Sequence, residues 1–170
     1  MSDEAQMLAE IDAARGLLRV NPPPNAVTHA ALWAHATREP GQPVDFSVVR
    51  ALRTDPDTAR RYRAMLGAQA LAHAPLAAAA SDGAITRRRL GAFELEILPA
   101  EDDAPPLLVL RGVEAKVPRV IEAWLGDDTV RLELGAPVEG AILLALDPAV
   151  PEAVELGRML SEPACAVFLL

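Results

Sequence analysis

Phe93-Glu94-Leu95-Glu96-Ile97 decides the fold: apolar and acidic residues alternate strictly, so the hydrophobic period is two. That is the repeat of a strand with one face buried and an acidic face in water. Downstream the same signal recurs. Leu107 to Leu110 is a short continuous apolar run that predicts a more central strand. Val120 to Leu125 and the alternating Val130, Leu132 and Leu134 flank Gly126-Asp127-Asp128, which predicts a hairpin with a short turn. Ala141 to Leu146 predicts a fifth strand and Ala164 to Leu170 a buried final one. Between them, Pro151 to Ser161 predicts a helix, with Val154, Leu156 and Leu160 near helical spacing, proline in the first turn and Glu152 and Glu155 near the positive end of the dipole.

Upstream of Gly83 the period is nearer four. Asp3 and Gln6 make a capping pair, and Met7, Leu8, Ile11, Ala14 and Leu18 follow at helical spacing until Pro22, Pro23 and Pro24 stop the helix. A second helix is predicted from Ala26 to Thr37, burying Leu32 and Trp33. After the loop composition of residues 39–43, Asp45 caps a short helix carrying Phe46, Val49 and Leu52. Asp55 followed by Pro56 opens the clearest helix of all, with Tyr62, Met65, Leu66, Gln69 and His73 along it and an end near Pro75; alanines 77–80 extend helical character towards Gly83.

Helices first and strands afterwards predict an α+β chain: an N-terminal helical region, then a small, mainly antiparallel β-sheet or β-sandwich with one helix near the C-terminus. The expected domains are a helical one at 1–83 and an acidic β-rich one at 84–170, hinged near 80–92. At 170 residues and 51% hydrophobic, the chain is long enough for its core to need neither metal nor disulfide, and its one cysteine, Cys165, has no partner to bridge within the chain. No apolar run approaches the ~18 residues of a membrane span. The expectation is a cytoplasmic protein without membrane attachment.

The net charge of -8 is unevenly placed. Residues 1–90 hold eleven arginines against nine acids, whereas residues 91–170 hold five basic residues against fifteen acids. An acidic C-terminal half repels phosphate backbones and anionic lipid, so nucleic acid is not an expected partner. The densest basic stretch is Arg60, Arg61 and Arg63 with Arg50 and Arg53 upstream, interleaved with Asp55 and Asp57 and holding only Tyr62 as an aromatic. As a mixed-charge helix face it is either solvated surface or a dock for an acidic protein.

Signatures of catalysis are missing. His29, His35, His73 and Cys165 have no metal-ligand spacing, so no metal is expected. Ser2, Ser47, Ser81 and Ser161 lie in no Gly-x-Ser-x-Gly elbow, and Gly135, Gly140 and Gly157 form no phosphate loop. Glu94 and Glu96 share one strand face about 7 Å apart, which suits acid–base work only if the pair is buried. Glu101-Asp102-Asp103 reads as a solubilising loop. No cofactor and no catalytic residue are expected.

The segment Asp55-Pro56-Asp57-Thr58-Ala59-Arg60-Arg61-Tyr62-Arg63-Ala64-Met65-Leu66 resembles the Asp-Pro-led, arginine- and alanine-rich helix in the small helical domains of bacterial anti-sigma factors. The resemblance covers residues 26–80 and lacks that family's zinc-binding His and paired Cys. It implies a helical domain that clamps a sigma factor away from RNA polymerase. The expected function is thus a non-enzymatic, regulatory protein-binding protein with Arg53, Arg60, Arg61, Tyr62 and Arg63 as partner-binding residues. The alternatives are a small acidic chaperone or adaptor for an export or assembly client, whose sheet pairs across a homodimer, and, remotely, an enzyme of unknown class.

Overall fold

A computed structural model describes residues 27–39, 41–74, 86–101 and 104–170. Among these the helices are α1 (His29–Ala36), α2 (Phe46–Thr54), α3 (Pro56–Gln69) and α4 (Pro151–Leu160). The strands are β1 (Ala72–Ala74), β2 (Arg87–Leu90), β3 (Phe93–Leu98), β4 (Leu107–Arg111), β5 (Val120–Leu125), β6 (Asp128–Glu133), β7 (Ala141–Ala145) and β8 (Ala166–Leu169). They form two antiparallel four-stranded sheets, one ordered β1-β8-β5-β6 and the other β2-β3-β4-β7. The fold is α+β, as the segregation of periods predicts. The helix expected over Met7–Leu18 and the alanines 77–80 lie outside the described residues, as does the boundary placed at residue 83.

Two cores organise the layers. Between the sheets, Leu90, Leu95, Leu108, Leu110, Ile121 and Val167 pack with Leu156 and Met159 of α4. On the other face of the first sheet, Leu32, Val48, Leu52, Tyr62 and Leu66 of the three N-terminal helices close over Trp124 and Phe168. β5 is therefore buried on both sides, which is why Val120-Ile-Glu-Ala-Trp-Leu125 reads as an almost unbroken apolar run. Ile121 and Ala123 enter the inter-sheet core, while Glu122 and Trp124 face the helices. Each fully buried large side chain contributes roughly 2–3 kcal/mol, so both interfaces are strongly held.

The helix starts follow their caps. Thr28 accepts from Ala31 N, Asp45 from Ser47 N and Asp55 from Asp57 N. Several expectations of burial and extent are corrected. Leu32 is buried but Trp33 is 48% exposed, because α1 is apolar all round and only its Leu32–Ala36 side meets the core. Phe46 is 80% exposed, since Val48 and Leu52 set the buried side of α2 and Phe46 lies far from it around the axis. Val154 points outwards from α4, whose buried side is Ala153, Leu156, Met159 and Leu160.

The third helix does not reach Pro75. It ends at Gln69, and Ala72, His73 and Ala74 pair with Leu169, Phe168 and Val167 of β8. His73 stacks on Phe168, with ring centroids 6.0 Å apart, so backbone pairing and a stacked ring replace two further turns of helix. Part of the stretch expected to hinge is likewise strand: Arg87–Leu90 pairs with β3, burying Arg88 and Leu90 and exposing Arg87 and Arg89. Among the described residues no helix is long and apolar enough to cross a membrane.

Candidate functional site

The helical layer is pinned to the sheet by a buried polar cluster. The turn at Gly126-Asp127 sets β5 against β6 so that Glu122 faces Arg131 directly. Arg131 Nη1 donates to Glu122 Oε2 at 3.0 Å, with side chains 14% and 3% exposed. Trp124 Nε1 donates to Glu122 Oε1 at 2.9 Å, and the Tyr62 hydroxyl donates to Oε2 at 3.3 Å. The other Arg131 nitrogen, Nη2, reaches the Ala36 carbonyl at 3.0 Å, at the C-terminal end of α1. One guanidinium thus joins sheet, α1 and α3. Burial pushes the Glu122 carboxyl above the ordinary carboxylate range against the pull of Arg131, Trp124 and Tyr62. Burial likewise raises the Tyr62 phenol, with Glu122 adding to the effect.

His35 stands at the rim of this cluster, its ring 5.6 Å from that of Tyr62. Burial first, and then the charges of Arg131 and Arg38, lower its pKa to about 4, so it is neutral at neutral pH.

The residues expected to bind a partner separate into three settings. Tyr62 is fully buried in the cluster and is not on the surface. Arg63 lies over the Trp124 ring, its guanidinium carbon 5.3 Å from the centroid, a cation–π contact that keeps it against the fold. Arg60 and Arg61 are exposed on the outer side of α3; Arg60 pairs with Asp57 at 2.8 Å and Arg61 donates to Thr58 Oγ1 at 3.0 Å. Arg53 is exposed at the end of α2, beside a depression of about 480 Å³ that also holds Asp127, Asp128, Glu152 and Glu155. Sequence reasoning missed the neighbour that matters most to this surface. Phe46, Arg50 and Arg53, spaced i, i+4 and i+7, form one stripe on the outside of α2.

Glu94 and Glu96 are brought together, but in a ladder of charge on the outer face of the second sheet. Glu96 accepts from Arg87 and Arg111 at 2.7 Å each, and Arg87 also approaches Glu94 at 3.4 Å. The hydrogen bonds from Arg87 and Arg111 hold the Glu96 carboxyl below its ordinary range. His73 is on the other sheet, so the acids and that histidine do not share a site. Cys165 is buried, and burial raises its thiol pKa. Among the described residues no three His, Cys, Asp or Glu side chains converge as metal ligands.

Comparison with models of protein families, with curated proteins and with solved structures gives no match.

Proposed function

We propose that this chain is a non-enzymatic regulatory protein that binds an acidic protein partner through the outside of its helical layer, in the manner of the anti-sigma factors that residues 26–80 resemble. The observation that carries the reading is Phe46, 80% exposed on the same stripe as Arg50 and Arg53. Leaving such a ring in water forgoes roughly 2 kcal/mol of burial, and aromatic residues and arginine are both enriched at protein interfaces. Trp33 on α1 and the pair Arg60 and Arg61 on α3 belong to the same layer. An acidic segment with an apolar side complements them in charge and in surface.

The test is capture from native lysate by the tagged full chain, beside Phe46→Ser, Arg50→Glu with Arg53→Glu, and Arg60→Glu with Arg61→Glu. Retention of an acidic protein, a sigma factor above all, by the parent chain and its loss with these folded variants supports the reading. Identical retention by parent and variants removes the helical face from the account.

A second reading, a small acidic chaperone or adaptor, is favoured by one observation on the opposite side of the molecule. The register sets Leu98 against Leu107 and Val109 against Leu143 on the outer face of the second sheet, where Leu143 is 49% exposed. A stable homodimer, or a client held through this face and lost with Leu143→Lys, supports that reading over the first.

A further inference from the structure

We infer that residues 7–18, which lie outside the described residues, dock as a helix on the outer face of this chain's own helical layer, over Trp33 and Phe46, and withhold that face from a partner. The regulatory sense rests on the reading of that face proposed above; the occupancy does not.

The uncovered side of α1 is the first argument. A helix that is apolar all round belongs in an interior, because every side of it is unfavourable in water. His29–Ala36 is such a helix, yet only Leu32 and Ala36 are buried, and Ala30, Trp33 and Ala34 are exposed. Phe46 adds a second exposed ring on α2, which packs against α1.

The stretch directly upstream has the pattern of a cover. Met7, Ile11, Ala14 and Leu18 follow at i, i+4, i+7 and i+11, one apolar stripe of a helix that needs a surface to bury it. At about 100° per residue, Glu10 and Asp12 project to either side of Ile11, so an acid borders the stripe on each flank. Residues 1–18 carry four acids against Arg15 alone, whereas residues 27–74, which hold α1 to α3, carry six arginines against four acids. Arg60 already pairs with Asp57, but among the described residues Arg50 and Arg53, on the stripe of Phe46, form no ion pair and can meet Glu10 and Asp12. The occupant therefore matches the face in both charge and apolar surface.

The connection is long enough. Nine residues, 19–27, join Leu18 to the cap Thr28, and Pro22, Pro23 and Pro24 favour an extended course at about 3.1 Å per residue, about 28 Å in all. Packed helix axes lie roughly 8–10 Å apart, so the segment can turn back over α1 and reach α2. A tether of this length sets an effective concentration on the order of 1 mM, so a stripe that binds in trans with a Kd of only about 0.1 mM fills the face about ten to one.

The test uses the full chain and a fluorescein-labelled peptide of residues 1–19, followed by anisotropy. The peptide is expected to bind the chain carrying Ile11→Asp with Leu18→Asp about tenfold more tightly than the parent, whose face is already filled, and to lose that binding when Trp33→Ser and Phe46→Ser are added. Both rings are exposed, so their removal leaves the two cores intact. Equal binding to parent and variant, no binding to either, or binding indifferent to Trp33 and Phe46 overturns the inference. A nitroxide at Ala13→Cys, on the side of the predicted helix away from Ile11, gives a second readout, and the buried Cys165 takes no label. It is expected to broaden the NMR signals of Trp33 and Phe46 within one chain and to leave Leu143, on the second sheet, sharp. Broadening only between a labelled and an unlabelled copy makes a second molecule the occupant and also overturns the inference. Lysate capture tests the partner separately: where the peptide and nitroxide results hold and no acidic protein is retained by parent or variant, the occupancy stands and the partner reading falls.

Discussion

Glu122 and Arg131 are direct neighbours across the β5–β6 hairpin, and their 3.0 Å ion pair lies beneath the helices that the first half of the chain lays on the sheet. The pair decides how the two halves relate. Tyr62 from α3 donates to the carboxylate and the α1 carbonyl of Ala36 accepts from the guanidinium, so the docked helical layer completes the hydrogen bonding that the hairpin begins. In exchange for the desolvation of two charges, the cluster specifies one position of the layer on the sheet.

Removing one partner should therefore cost more than removing both. Glu122→Ala leaves a buried guanidinium without its counter-charge and is expected to destabilise by about 3–5 kcal/mol, whereas Glu122→Leu with Arg131→Met is expected to lose much less. Urea denaturation followed by Trp124 fluorescence measures both. Equal losses in the single and the double variant would mean that the charges are not coupled.

His35 gives the pH dependence. Its folded pKa of about 4 lies below the ordinary 6.5, so the unfolded chain binds its proton first. The stability that neutral His35 allows is complete above pH 6.5 and is lost as the pH falls towards 4. Because the ring is only partly buried, the loss should be on the order of 1 kcal/mol after solvent screening. His35→Gln should flatten this part of the profile, measured as the difference in unfolding free energy between parent and variant at pH 7 and pH 4.5. A difference that does not change with pH refutes the assignment. The raised Glu122 acts in the opposite sense in both proteins, favouring the fold as the pH drops, and cancels in the comparison.

Most of the sheet was legible because alternation reports burial on one face directly, as in Phe93, Leu95 and Ile97 of β3. β2 was not, because Arg87-Arg88-Arg89 has no contrast between its faces although Arg88 is buried and Arg89 exposed. Nothing in Ala72-His73-Ala74 separates a strand from the end of a helix; pairing with β8 decides it. The buried cluster, by contrast, left a signal. Glu122 is the one charge in Val120–Leu125, and a two-residue turn at Gly126-Asp127 counts back to Arg131 as its cross-strand partner. The surface was harder to read, because Phe46 at the first position of α2 looks like a core residue until the phase set by Val48 and Leu52 is known.

Arg88 closes the end of α4 from another strand. Its Nε donates to the Leu160 carbonyl at 2.8 Å, Nη1 donates to that of Cys165 at 3.0 Å, and Nη2 reaches that of Glu162. A cation here answers both the unpaired carbonyls and the negative end of the helix dipole. Arg88→Met keeps the apolar stem but strands these acceptors, and should destabilise by about 3 kcal/mol. Arg88→Lys keeps the charge without the planar fork and should recover only part of that loss. Thermal unfolding of the two variants checks the order; full recovery with lysine would show that charge alone matters.

Two glycines separate conformational strain from collision. Gly126 in the β5–β6 turn has φ +61° with open space around a would-be Cβ, whereas Gly112 after β4 has φ +84° and would bring a Cβ to 2.5 Å from the Ala92 carbonyl oxygen. A left-handed backbone alone costs alanine about 1–2 kcal/mol, so Gly126→Ala is expected to lose about that much. Gly112→Ala must also push back the β2–β3 turn, whose backbone has no torsion to spare, and should lose about 3 kcal/mol or more. Urea midpoints of the two variants, taken at equal m-value, give the difference. If Gly112→Ala is no worse than Gly126→Ala, the β2–β3 turn yields freely and the contact does not hold β4 against it.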